Sequence, residues 1–549
     1  MLYKEISKIL ALYLYGFCAA ILVPFFLAGW YQFFVPPLLH PQPHSTGSFL
    51  ATLLICFALG LGFHFFGRSA TGQVYRKEGL AIVVLIWILT PAISALPFFL
   101  SGTLENPIAA FFESTSGLTT TGSTALVGKA YNAEGKEIPI QQVVRGVLDT
   151  SYTFYGTVEP VRDPLTHQVL YEGIEAVGKA LLFWRSFIQW LGGGGIIVLF
   201  VAILPILGAG GRVLFQTEVP GPIKDTLTPR IKETAIQLWK IYLGLTLFEI
   251  VLLMVTNREI GLYDASTITF AALSTGGFSV HNANIGYYRS AATDWAVLVC
   301  MLLGSINFSL YYYVFKGKFY KIFKPELFLY IAIVLVASLF TIGSLYGAPK
   351  ELLTHEAPSQ YSLSDAIRYG TFHIVSAITT SGFITANYDV FPFLAQTVML
   401  IVMFVGGMSG STAGGIKIMR HYLLFRIGQN QVESLFRPKK VQVFKVGNKE
   451  VDRNAALTVL CFFLIIISVS VLGTLLYVVD GIDPKTALGL VGCMINDTGL
   501  SFRVAGPLGS CAFMSDFSYL LSCILMIMGR LEFFAVFAFL VPAFWKQNE

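Results

Sequence analysis

The residues of this chain best suited to chemistry are short runs of small hydroxyl residues closed by glycine: Thr120-Thr121-Gly122, Thr275-Gly276-Gly277, Thr380-Ser381-Gly382 and, less regularly, Asp497-Thr498-Gly499. What they offer is oxygen. Peptide carbonyls aimed at one point can replace the water around a dehydrating cation. Glycine lets the backbone turn a carbonyl inward at positive φ, while the hydroxyls of Thr120, Thr121, Thr275, Thr380, Ser381 and Thr498 can hydrogen-bond behind the turns. One such run alone reads as a Gly/Ser/Thr helix-packing segment of the kind common in membranes. Four of them, each after an apolar run of helix length, need a shared explanation.

The elements that position these turns follow from hydropathy. The chain of 549 residues is 55% hydrophobic and 13% charged, against about 25% charged for a soluble domain. Recurring apolar runs mark a polytopic membrane protein. Each turn follows an apolar segment at 106–118, 264–273, 365–378 or 485–495, too short to cross the hydrocarbon at about 1.5 Å per residue. These segments must enter and leave by one side. Full spans flank them at 78–100 and 178–207, 234–256 and 293–315, 326–345 and 394–425, and 454–479 and 517–543. The expected fold is therefore all-α: four pseudo-symmetric repeats of span, re-entrant helix and span around one pore. An added N-terminal pair at 12–32 and 46–66 is expected to act as a peripheral support. The expected units are residues 1–72 (helix pair), 73–215 (repeat one), 216–322 (repeat two), 323–448 (repeat three) and 449–549 (repeat four). Repeat one carries an external polar insertion at 127–173, of undisclosed role.

Ten crossings put both termini, and the Lys/Arg-rich connections 68–77, 212–240, 316–324 and 417–453, on the cytoplasmic side, as charge bias requires. The net charge of +5 thus reflects topology, not nucleic-acid binding. No cleavable signal is expected, because residues 1–8 run straight into the first span. Seven cysteines without metal-ligand spacing read as buried small hydrophobes.

A second run demands attention. Gly406, Gly407, Gly410, Ser411, Thr412, Gly414 and Gly415 interrupt the returning span of repeat three, where each glycine costs a helix about 1 kcal/mol. A span broken at mid-depth needs a cavity or protein to satisfy its backbone, so this stretch is expected to lie across the pore as a movable barrier. The order required for a phosphate-binding loop is absent. Lys417 closes the stretch, as a positive charge at the inner pore or as a cytoplasmic anchor. Arg530, inside the last span, is expensive unless it finds a partner. Among the half-helix acids, Asp264 and Asp365 are expected to cap helix starts, and Glu113, too far along its helix, to brace its turn. Arg185, Gln189-Trp190 and Asn307 are expected to fix packing between repeats.

The run Thr119 to Gly122, Ser274-Thr275-Gly276-Gly277-Phe278, Thr379-Thr380-Ser381-Gly382-Phe383 and the stretch Gly406 to Lys417 resemble the Trk/Ktr/HKT superfamily of potassium uptake proteins, most of all the bacterial Trk membrane subunit. The resemblance covers about residues 1–545 apart from the insertion. It implies a single-chain, pseudo-fourfold potassium pore in the inner membrane. It further implies K+ held at the carbonyls of the four turns, a homodimer, and a separate nucleotide-binding regulatory subunit on the cytoplasmic face. It makes Gly406–Gly415 the intramembrane gate and Arg530 its latch. Gly122 favours potassium, since some sodium-preferring plant relatives carry serine there. Asp497 departs from the hydroxyl residues of the other turns, adding field to the pore or bonding its turn from behind. Two alternatives stand beside passive potassium conduction: a sodium- or proton-coupled symporter, and, from another class, a membrane-embedded lipid-modifying enzyme. The enzyme would need converging His or carboxylate groups, and the eight histidines are scattered. Beyond the transported ion no cofactor is expected.

Overall fold

The computed structural model describes residues 2–36, 44–72, 75–132, 134–144, 149–163, 165–195, 231–353, 359–437, 444–446, 449–451 and 453–545. The expected continuation of the first returning span through 207 lies outside them. So do the basic residues 212–230, positions 37–43 of the first loop and 438–443 of the long basic connection.

The chain is an all-α, multi-pass membrane protein. Six described helices are long and apolar enough to cross a bilayer, at Tyr3–Phe34, Thr46–Phe66, Lys77–Leu100, Ile236–Thr256, Pro325–Leu345 and Ala456–Val479. Their burial sorts them. The window in Lys77–Leu100 is 67% buried, whereas those in Thr46–Phe66, Pro325–Leu345 and Ala456–Val479 are 22% buried and offer Leu and Phe side chains to lipid. The N-terminal pair packs on repeat one: Tyr13 and Thr90 share a hydroxyl hydrogen bond of 2.7 Å, and buried Trp184 sits between Phe17 and Phe49, with ring centroids 6.1 and 6.0 Å away.

The four half helices are Pro107–Leu118, Leu262–Leu273, Leu363–Ile378 and Pro484–Asn496. Even the longest, of 16 residues, reaches only about 24 Å. The starts of the first, third and fourth are fixed by side-chain caps. Asn106 accepts from Ile108 N–H, Ser362 from Asp365 N–H, and Asp483 from the N–H groups of Lys485 and Thr486, with proline as first helical residue after Asn106 and Asp483. Asp264 and Asp365 therefore do not cap. The N-cap of the second half helix is Gly261 and that of the third is Ser362. The two carboxylates instead take partners from outside their helices: Asp365 pairs with Lys350 at 3.3 Å, and Asp264 accepts a hydrogen bond from the Tyr288 hydroxyl at 3.1 Å.

Three of the returning spans share a feature found from sequence in repeat three alone: they break. Ala291–Ser305 meets Phe308–Phe315 at 95°, and Asp516–Arg530 meets Phe534–Leu540 at 118°. Phe393–Val405 and Ile418–Phe436 are separated by the glycine stretch, and Lys179–Trp190 passes into the wide turn Leu191–Gly195. Counting each bent pair as one span gives up to eight crossings. The two further crossings of the expected ten correspond to the broken span of repeat three and to the helix beginning at Lys179.

The insertion forms short antiparallel hairpins, the longest pairing Ile140–Val144 with Thr150–Phe154. It grips the helical body at several places, two of them through paired hydrogen bonds. The Tyr152 hydroxyl accepts from Asp483 N–H at 2.8 Å and donates to its Oδ2 at 3.1 Å. At its far end Ile174 N–H and the Glu172 carbonyl bond the Asn282 carboxamide at 2.8 and 2.9 Å.

Candidate ion-conducting site

Each half helix ends the same way. After the first, Thr120 N–H bonds the Gly117 carbonyl at 3.1 Å and Thr121 N–H the Ser116 carbonyl at 2.9 Å. This is the Schellman pattern, which places a left-handed residue just past the helix. The second and third repeats match it, with Gly276 N–H on the Ala271 carbonyl at 2.7 Å and Ser381 N–H on Ser376 at 2.9 Å, and in the fourth Thr498 N–H reaches Cys493 at 3.1 Å. The left-handed position is held by Thr120 (φ 61°), Thr275 (58°), Thr380 (56°) and Asp497 (51°), and two residues on stands a second left-handed residue, Gly122, Gly277, Gly382 or Gly499. For a β-branched residue such a φ is a genuine outlier that costs about 1–3 kcal/mol. Three threonines under this strain were not foreseen from sequence, which assigned positive φ to the glycines alone.

The turns converge. A Cβ built on Gly122 would fall against the Gly276 carbonyl oxygen, one on Gly277 against that of Ser381, one on Gly382 against that of Thr498 and one on Gly499 against that of Thr121. Each contact points to the next repeat, and the fourth returns to the first. This closed ring requires glycine at all four corners and places four equivalent carbonyls around one axis. The four glycines also line a single cavity of about 110 Å³ on the face that carries the insertion.

Several expected backing bonds are present. Thr121 Oγ1 lies 2.8 Å from Thr119 Oγ1, and Ser381 Oγ 2.8 Å from Thr379 Oγ1. Ser116 and Ser376 reach over the turns to the carbonyls of Ser123 and Phe383 at 2.6 and 2.7 Å. Asp497 Oδ1 accepts from Thr121 Oγ1 at 2.9 Å, joining the fourth turn to the first from behind. The Thr275 hydroxyl donates to the Ser274 carbonyl at 2.6 Å. Thr120 and Thr498 hydroxyls are buried without a hydrogen-bond partner among the described residues.

Glu113 braces its turn as expected, accepting from Thr124 Oγ1 at 3.0 Å and Ala125 N–H at 2.8 Å. Buried Arg185 ties that carboxylate at 2.8 Å to the Ser279 carbonyl at 3.1 Å, with its guanidinium 4.0 Å from the Phe278 ring centroid. Gln189, one helical turn later, donates to the Gly276 carbonyl at 2.7 Å and accepts from Phe278 N–H at 3.2 Å. Both residues join repeat one to repeat two, as the sequence leads one to expect, but they do so at the turn itself, which the sequence does not announce. The signal available was two polar side chains at i and i+4 on a helix inside the membrane.

On the opposite side of the ring lies the glycine stretch. The helix of repeat three stops at Gly406 (φ 72°) and resumes after Lys417 (φ 77°). Backbone unwound at membrane depth must find partners, and here repeats two and four, with the turn of repeat three itself, supply them. Thr412 Oγ1 donates to the carbonyls of Leu273 and Gly304 at 2.8 and 2.9 Å, Gly414 N–H to Thr380 Oγ1 at 2.6 Å, and Gly415 N–H to the Asn496 carbonyl at 3.0 Å. The Gly410 carbonyl accepts from Phe308 N–H at 3.1 Å, just past Asn307. Gly407, Gly410 and Ser411 complete the bend. Gly407 accepts from Ile418 N–H at 3.2 Å and Ser411 Oγ donates to Met408 at 2.6 Å. The stretch thus touches the inner ends of three half helices. Gly192, in the turn of repeat one, packs against the Leu118 carbonyl at the end of the remaining one.

Arg530 ends its helix at the break of repeat four. Its guanidinium donates to the Thr412 carbonyl at 2.9 Å and the Gly192 carbonyl at 2.8 Å. It therefore bolts the glycine stretch to the turn of repeat one. Buried Lys417 turns back to the Ala413 carbonyl, and Arg420, three residues further, pairs with Glu532.

At the rim of the cavity His281 stacks on Tyr287, ring centroids 3.6 Å apart, and faces Glu175 Oε1 at 3.2 Å and Asp264 Oδ2 at 3.5 Å. Burial alone would lower its pKa, but the two carboxylates outweigh burial and raise it. Six of the seven cysteines are buried, Cys461 is exposed, and all are free.

The family model for TrkH, a cation transport protein, matches residues 165–546. The chain is 31% identical over 551 residues to the Trk system potassium uptake protein TrkH of Escherichia coli strain K12, covering all of both chains. It is 32% identical over 521 residues to the TrkH of Halomonas elongata, covering 93% of this chain and 96% of that one. The crystal structure of the potassium transporter TrkH from Vibrio parahaemolyticus superposes with a TM-score of 0.77 at 29% identity, over 100% of each chain. Fold, ring and sequence agree: the chain belongs to the TrkH family of cation transport proteins, a family of transporters and not of enzymes.

Proposed function

We propose that this chain is the potassium-conducting subunit of a Trk-type uptake system. The observation that carries this reading is the closed ring of turns. Four re-entrant helices present their C-terminal, partially negative ends and equivalent carbonyls to one axis, which suits a cation that has shed its water. Ions enter from the insertion face, taken as the outside. They are selected at the carbonyls of Thr120–Gly122, Thr275–Gly277, Thr380–Gly382 and Asp497–Gly499, and pass the barrier Gly406–Gly415. Arg530 and Lys417 hold that barrier shut.

The repeats divide near residues 72, 215, 322 and 448, both termini face the cytoplasm, and the membrane is the bacterial inner membrane. The relatives are named as proteins of a Trk uptake system, and within such a system this chain is proposed to act as a homodimer with a cytoplasmic nucleotide-binding regulator. That regulator would act on the basic connections and move the half of repeat three beyond Lys417.

Rubidium and sodium uptake in a host without its own potassium transporters tests the reading. The wild type is expected to prefer rubidium, and Gly382→Ser, which pushes a side chain into the Thr498 carbonyl, to lose that preference. A Gly382→Ser chain that discriminates like the wild type would defeat the filter assignment.

A further inference from the structure

The ring is symmetric in backbone and asymmetric in side chains. At the middle position of each turn stand Thr121, Gly276, Ser381 and Thr498. Three carry a hydroxyl; the second carries nothing. The space a side chain would occupy there is filled from another repeat, since a Cβ on Gly276 would fall 2.5 Å from the Gln189 carboxamide carbon. Gln189 is fully buried on the helix Lys179–Trp190. Its NH₂ donates to the Gly276 carbonyl and its oxygen accepts from Phe278 N–H, on either side of Gly277. The carboxamide serves both partners from one side chain, because the carbonyl needs a donor and the N–H an acceptor. Arg185, on the same face, anchors the same turn through the Ser279 carbonyl.

We infer that Gln189 is a specificity-determining, positioning residue of the filter. It supplies from repeat one the restraint that the first and third turns carry in the bonded hydroxyls of Thr121 and Ser381, and so fixes the Gly276 carbonyl that faces Gly122 across the ring. The inference rests on the filter reading above. A carbonyl ring discriminates between alkali ions by how its oxygens are held as well as by how many there are. Freeing one quarter of the ring relaxes that discrimination without blocking passage.

The test uses the full chain in a host lacking potassium uptake, with initial rubidium and sodium uptake measured over a range of concentrations at matched membrane levels. Gln189→Leu and Gln189→Ala remove both bonds. Gln189→Glu keeps the shape and the acceptor but loses the donor. Each is expected to lower the rubidium-to-sodium ratio about tenfold, as expected when a buried carbonyl loses its donor, mainly through a higher apparent KM for rubidium. Gly276→Ser combined with Gln189→Ala returns a hydroxyl to the vacant position and is expected to bring the ratio back within about threefold of wild type. A purely packing role for Gln189 would lower total flux at an unchanged ratio. That result, or a double variant no more selective than Gln189→Ala, overturns the inference. If Gln189→Leu fails to reach the membrane, the isosteric Gln189→Glu decides alone. A wild type without rubidium preference would overturn the filter reading and the inference together, whereas a selective wild type with unaltered single variants overturns only the inference.

Discussion

Two layers of this molecule use glycine at positive φ, and they use it differently. In the ring, Gly122, Gly277, Gly382 and Gly499 face the backbone carbonyl of the next turn, so the neighbour of each is rigid. In the layer beneath, the corresponding segments are unequal. They comprise the wide turn Leu191–Gly195, the short breaks after Ser305 and Arg530, and the long stretch between Val405 and Ile418. Of the positive-φ glycines in that stretch, Gly406 and Gly415 also meet backbone, but a Cβ on Gly410 would fall 3.2 Å from a side chain, the carboxamide of Asn307. On the proposed function, equivalence is kept where an ion would meet the same field from every side, and abandoned where one element would move relative to the others.

The largest effect expected from this contrast comes from adding one methyl to each layer. Gly277→Ala places a Cβ at φ 73° against the Ser381 carbonyl. Left-handed strain and overpacking together amount to about 3 kcal/mol, or about a hundredfold loss of rubidium uptake. Gly410→Ala carries the backbone strain without the rigid clash and is expected to lose no more than about tenfold. Equal losses in the two variants, measured as initial uptake at matched expression, would remove the distinction between layers.

Arg530→Gln probes the lower layer alone. Its guanidinium makes two bonds to carbonyls of two different repeats, each about 1.5–3 kcal/mol as a charged hydrogen bond. Glutamine cannot span both. The barrier is expected to open in the absence of the regulator, raising basal rubidium flux in liposomes about tenfold while leaving the rubidium-to-sodium ratio unchanged. A shifted ratio with unchanged basal flux would move Arg530 from the barrier to the filter.

Much of this was legible from sequence because it rests on short-range chemistry. A half-length apolar segment followed by hydroxyls and glycine can do little else in a bilayer, and five glycines in the stretch of repeat three cannot form a helix. What escaped were relations across the fold. Gln189 reads as one polar residue in an apolar helix, and nothing local says that it occupies the place of the side chain missing at Gly276, in another repeat. The breaks after Ser305 and Arg530 escaped because they contain no glycine run. They are made by Asn307, which caps the helix beginning at Phe308, and by Glu532 and Phe533 at φ 58° and 60°, a strain that composition does not announce. Asp264 and Asp365 were misjudged for a related reason. An acid in a first turn suits the helix dipole wherever it points, and its true partners, Tyr288 and Lys350, come from outside the helix.

The smallest expected effect lies at the rim, where the insertion meets the ring. His281 faces Glu175 at the end of the insertion and Asp264 on the second half helix, with Tyr287 and Tyr288 packed around it. Its folded-state pKa is raised because the carboxylates outweigh burial. A group with a raised folded pKa contributes stability that is fully present below its unfolded value and is lost as pH rises through the folded one. The contact between insertion and helical body should therefore hold best in mild acid and weaken as pH climbs past the ordinary histidine range. For a chain of this size the change in detergent is about 1 °C in Tm, and His281→Gln should flatten the pH dependence. Limited proteolysis of the insertion across the same pH range gives a local reading of the same event. Cleavage that rises with pH in the wild type and not in His281→Gln is the expected pattern, and identical profiles in the two chains would show that the rim is held by Asn282 and Tyr152 alone.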